Sequence, residues 1–248
     1  MKKCLLVLGC LSIAACGSSG GSSAPSFSEM KAKFDKPTGV MKTDNAAGVA
    51  DGLAAKMKSG ISKPGALTAA LEAITGALAS ATIDCSNISV PSGYTGGTFT
   101  ATCKCNGGGT VGFTMDPTQA QGGNPVSVAY TYNNCAMTEN GSTTTINGTG
   151  YYVPGPKGST EMFYSFKGSV KTADQTVTMD VEYYFDGKDY WYLVTVTGVN
   201  GDFVCKGSYD STTKSGTWTV KDSSGTYECT ATNGKGTCTG AGGATVTW

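Results

Sequence analysis

The chain has 248 residues, 36 of them glycine; 15% are charged and the net charge is zero. All 18 basic residues are lysine, and the sequence contains neither histidine nor arginine. This excludes Ser-His-Asp and Cys-His catalysis, HExxH zinc sites, CxxCH haem attachment and bidentate guanidinium clamps. Zero net charge gives no electrostatic reason to expect nucleic acid as a partner.

Lys2 and Lys3 precede an apolar run from Leu5 to Ala15, too short to span a bilayer. The run ends in Ile13-Ala14-Ala15-Cys16. These residues resemble the lipobox of bacterial lipoprotein signal peptides. The resemblance implies that residues 1–15 are a signal peptide and that Cys16 becomes the first mature residue. Its thiol would carry a diacylglycerol and its amino group an acyl chain such as palmitate. Gly17, in place of the aspartate associated with inner-membrane retention, implies an outer membrane lipoprotein facing the periplasm or the cell surface. A plain secretory signal cleaved nearby is the alternative. Residues 16–26 are Gly/Ser-rich, with no large apolar side chain, as in a flexible tether.

Residues 27–82 read as a helical segment. Phe27, Met30 and Phe34 fall at helical spacing before Pro37 breaks the run. Asp44 is placed to cap a second helix whose face carries Val49, Ala50, Leu53 and Met57. Leu67, Leu71, Ile74 and Leu78 suggest a third. Such narrow, alanine-rich stripes must dock on something larger to be stable.

From residue 83 to 248 the period changes to two. Val177, Met179, Val181, Tyr183 and Phe185 alternate with Thr178, Asp180, Glu182 and Tyr184, and similar runs recur from Phe99 to Cys229. Short turns such as Asp186-Gly187 and Asn233-Gly234 leave no room for crossover helices. The expected fold is mainly β: an antiparallel up-and-down meander of about ten strands, closed as a barrel or folded as a sandwich. The alternating C-terminal run ending on Trp248 is similar to the last strand of outer-membrane barrels, but the Thr/Lys/Asp faces are too polar for a lipid-facing band.

Beyond the signal segment and Cys16, seven cysteines remain: Cys85, Cys103, Cys105, Cys135, Cys205, Cys229 and Cys238. Disulfides are the simplest expectation for an exported chain, and the spacing does not suit a zinc site. Cys103 and Cys105 share a strand face, so each seeks a separate partner, with Cys85 and Cys135 nearest. Cys229 and Cys238 flank a turn and can pair across a hairpin, leaving Cys205. Equally, Cys205 can take either of them.

The densest constellation is the hairpin from Asp180 to Tyr192. Tyr184 and Trp191 fall on its otherwise polar face beside Asp180 and Glu182, a pattern that suits sugar stacking or a protein interface. Such aromatics also serve simply to stabilise hairpins. The expected function is a non-catalytic, lipid-anchored binding or interaction module for an envelope protein or glycan, without metal or cofactor. The alternatives are a lipid-carrying barrel and a glycoside hydrolase using Asp180 and Glu182. An odd set of seven cysteines leaves at least one thiol. Thiol titration of the denatured, unreduced mature chain should therefore find few free groups, and six or seven would overturn the disulfide expectation.

Overall fold

The structure, a computed structural model, describes residues 24–61, 83–84, 98–115, 125–139, 141–173 and 175–248. Helix α1 (Phe27–Asp35) starts at Ser26 with a reciprocal cap: the Ser26 hydroxyl accepts from the Glu29 N–H, and the Glu29 carboxylate accepts from the Ser26 N–H. Met30 and Phe34, one turn apart, form its buried stripe. Ala24 is also buried, so the last residues of the expected 16–26 tether belong to the fold.

Helix α2 (Ala46–Ile61) begins one residue later than expected, after Asn45 and not Asp44. The Asn45 carbonyl accepts from the Val49 N–H, while its side-chain amide accepts from Lys42 N–H and donates to the Val40 carbonyl. An amide can do both, whereas an ionised aspartate only accepts. Val49, Ala50 and Leu53 are fully buried on one face. The third expected helix lies outside the described residues.

Among the described residues, thirteen strands form one antiparallel sheet whose spatial order is the chain order. They are β1 (Ile83–Asp84), β2 (Phe99–Cys105), β3 (Thr110–Met115), β4 (Val128–Glu139), β5 (Ser142–Pro154), β6 (Met162–Lys171) and β7 (Thr176–Phe185). The meander continues through β8 (Tyr190–Thr195), β9 (Asp202–Asp210), β10 (Ser215–Lys221), β11 (Thr226–Thr232), β12 (Lys235–Gly240) and β13 (Thr245–Thr247). Among the described residues β1 and β13 do not pair with each other, so the sheet is open. β5 has no alternating signature because Gly148 and Gly150 replace side chains where β6 crosses closely; a Cβ on Gly150 would meet the Ser165 carbonyl oxygen.

The two helices cover opposite faces of the middle of this sheet. The inner face carries α2 against β7, β8 and β9 and holds the larger core. The outer face carries Val153, Phe163, Tyr184, Trp191, Leu193 and Val204 beneath Met30 and Phe34 of α1. Consequently Trp191 to Val194 of β8 are buried without alternation, where one polar face was expected. The β7–β8 ladder has only three pairs, Tyr183–Tyr192, Tyr184–Trp191 and Phe185–Tyr190; beyond them the strands pair only with β6 and β9. The linker between the helices is tied down by the Asp222 carboxylate, which accepts from Met41, Ser224 and Gly225 N–H groups.

Cys105 bonds to Cys135 with Cα atoms 5.4 Å apart, and Cys229 bonds to Cys238, directly opposite at 4.0 Å. Cys103 is disulfide-bonded as well, Cys205 is a buried free thiol, and Cys85 lies outside the described residues. The open alternatives for Cys205 thus resolve in favour of the hairpin pair, because the 229–238 register places those residues face to face.

Helix α2 approaches β8 through glycine: a Cβ on Gly52 would lie 2.5 Å from Val194 Cγ1. Alanine is favoured over glycine in helices by about 1 kcal/mol. Overpacking at this contact opposes that gain by about 1–3 kcal/mol. Gly52→Ala is therefore expected to lower stability in urea unfolding; a stabilised variant would refute the tight contact.

Candidate functional site

The β7–β8 hairpin turns at Asp186-Gly187-Lys188-Asp189. The Asp186 carboxylate accepts from the Lys188 and Asp189 N–H groups, and Gly187 takes a φ of 94°. The other Asp186 oxygen accepts from Trp191 Nε1 at 2.8 Å. Burial pushes the Asp186 carboxyl upward, but hydrogen bonds from Asp189, Trp191 and Lys188, with Lys206 nearby, outweigh it and hold the pKa below its ordinary value.

Tyr184 and Trp191 project from the outer face, as their register requires, but that face is not open to solvent. Tyr184 is 5% exposed, stacks on Phe163 at 4.5 Å and donates its hydroxyl to Glu161. Trp191 is 8% exposed, with the ammonium groups of Lys206 and Lys221 at 4.6 and 4.2 Å from its ring centroid. Phe34 and Lys31 of α1 close over Tyr184, and the two lysines cover Trp191. The exposed stacking pair expected from alternation is therefore absent, because the polar face it assumed is a helix-docking face.

Asp180 and Glu182 sit where β7 and β8 part. Glu182 pairs with Lys33 of α1 at 2.8 Å, and Asp180 with Lys56 of α2 and Lys167 of β6, each at 3.4 Å. Lys56 also donates to the Asp180 carbonyl, a group that a longer β7–β8 ladder would have used. Lys33, Lys56, Asp180 and Glu182 line a cleft of 420 Å³. Both carboxylates thus act as fastening points for the helices, and neither stands apart with a water-filled gap opposite an unpaired acid, as glycoside hydrolysis requires.

The inner side of the hairpin is aromatic. Tyr183 lies 5.4 Å from Tyr164, 5.5 Å from Tyr190 and 6.2 Å from Tyr192, ring centroid to centroid. Tyr130 donates its hydroxyl to the Ser165 carbonyl. The Tyr183 hydroxyl and the Trp218 Nε1 are buried with no hydrogen-bond partner. Two further clefts are lined in part by these inner-face rings. One, of 510 Å³, is lined by Met57, Tyr190, Tyr192 and Trp218 with Asp189 and Glu228. The other, of 590 Å³, is lined by Phe113, Val128, Tyr130, Tyr152 and Pro154 with Glu161. Tyr190 is 39% exposed, and only Val40 among the described large apolar residues is also exposed. Trp218 and Glu228 carry no local signal in the sequence, since they lie on β10 and β11 and reach the hairpin only through the sheet. Among the described residues no group of three or more Cys, Asp or Glu side chains converges as a metal site.

No known protein family, curated protein or solved structure matches this chain.

Burial raises the pKa of Tyr132, Tyr183 and Tyr192, and lifts Tyr164 to about 12. A folded-state pKa above the unfolded value means that the stabilisation is complete below about pH 10 and is lost as pH rises through the folded value. Stability should therefore hold constant towards pH 10 and fall above it, with the tyrosinate absorbance of these four residues appearing together with unfolding. Ionisation of all twelve tyrosines near pH 10 with the fold intact would contradict this.

Proposed function

We propose that the chain is a lipid-anchored, non-catalytic binding module of the bacterial cell envelope. The observation that carries this reading is the arrangement around Cys16. A lipobox cysteine is followed by a short Gly/Ser stretch, and Ala24 already packs into the folded domain. Seven residues separate the two, so the domain is held within about 30 Å of its anchor. The disulfides at Cys105–Cys135 and Cys229–Cys238 agree with an oxidising compartment. Each buried acyl CH₂ contributes about 0.8 kcal/mol, so two or three chains on Cys16 would hold firmly where one holds marginally.

A binding role suits the side chains. With no histidine or arginine, and with the hairpin carboxylates fastened by lysines, the chain offers aromatic clefts and few reactive groups. Lipid carriage in a hollow barrel is less well supported, because α2 and the tyrosine cluster occupy the inner face.

Metabolic labelling with an alkyne palmitate, followed by membrane fractionation, tests the anchor. The wild-type chain is expected to label and to sediment with outer membranes, whereas Cys16→Ala should lose the label and become soluble in the periplasm. A Cys16→Ala protein that still labels and sediments refutes the anchor, and wild-type protein in the inner membrane refutes the outer-membrane assignment.

A further inference from the structure

We propose that the 510 Å³ cleft beside the β7–β8 hairpin binds a neutral, hydroxyl-rich carbohydrate. The inference rests on the reading of the chain as an envelope binding module and names the class of ligand. Tyr190 supplies the first requirement, an accessible aromatic face on a rigid support. It is 39% exposed, and Phe185 at 4.9 Å and Tyr183 at 5.5 Å fix its ring from behind. The apolar C–H face of a sugar ring covers such a surface at little conformational cost.

Trp218 supplies the second. It lines the cleft and is 3% exposed, and its indole N–H has no acceptor. A buried donor left unmade costs about 1–3 kcal/mol, which a small turn of the ring towards a ligand oxygen recovers. The 590 Å³ cleft has no such donor among its described lining residues.

The rim selects for neutral hydroxyls. Asp189 and Glu228 are held by Lys206 Nζ and Thr219 Oγ1, each at 2.9 Å, and each carboxylate keeps further lone pairs for hydroxyl donors. Two carboxylates face a single lysine in this lining, so an anionic ligand meets net repulsion. The same polar rim would leave its groups unpaired against an acyl chain. Beneath the rim, Cys229 is bonded to Cys238 across the β11–β12 hairpin, which keeps the floor rigid.

The test uses the full mature chain, lipid attached, in a detergent without a sugar headgroup. Maltohexaose, cellohexaose, chitohexaose and a hexamer of galacturonate are titrated by calorimetry and tryptophan fluorescence. At least one neutral hexasaccharide is expected to saturate a single site and shift the tryptophan emission. Tyr190→Ala should weaken it by about tenfold or more while the circular dichroism spectrum stays that of the folded protein, and Trp218→Phe by about tenfold. Failure of all three neutral oligosaccharides, tighter binding of the galacturonate hexamer, or unchanged affinity in Tyr190→Ala overturns the proposal. None of these outcomes alters palmitate labelling or fractionation, so the anchor reading stands or falls separately.

Discussion

Much of this structure depends on the contact of α2 with β8, where Gly52 meets Val194 with no room for another carbon. Interiors are packed to crystal-like density, so one missing side chain decides how near two elements lie. With α2 this close on the inner face and α1 on the outer, β8 becomes the most enclosed strand of the sheet. The Asp222 carboxylate keeps the two helices on their respective faces by fastening the linker that joins them.

That enclosure sets the character of the β7–β8 hairpin. Where the two strands pair, aromatic rings are buried on both sides. Where they separate, main-chain and carboxylate groups of Asp180 and Glu182 are met by lysines from the flanking helices. Exposed ion pairs of this kind contribute little to stability, about 0–1 kcal/mol each. Their value lies in orientation, since they complete hydrogen-bonding capacity at a break in the sheet. The accessible aromatic surface is instead Tyr190, which with Trp218 lines a cleft that the hairpin alone does not reveal.

The meander was legible because strands exposed on one face must alternate, and because short turns leave only antiparallel neighbours. Val177 to Phe185 shows both signals. β5 was hidden for the opposite reason, since Gly148 and Gly150 interrupt the pattern to admit β6. The helical stripe at Phe27, Met30 and Phe34 was equally plain, yet no local feature indicates that it lies on Phe163 and Tyr184. Tyr184 and Trp191 were assigned to the correct face, but register says which way a side chain points and nothing about what covers it.

The amino-acid sequence by itself determined the mainly β class, the strand order and the hairpin that Cys229 and Cys238 can bridge. Each follows from local chemistry: a period of two, a short turn, two cysteines in register. The tertiary structure alone decided that α1 covers Tyr184, that the conspicuous acids pair with helix lysines, that Cys205 is left as a thiol, and that Tyr190 and Trp218 line one cleft. The helix contacts among these join residues more than a hundred positions apart, such as Lys33 with Glu182 and Lys56 with Asp180. Burial and charge pairing at that range belong to packing, and no local pattern encodes them.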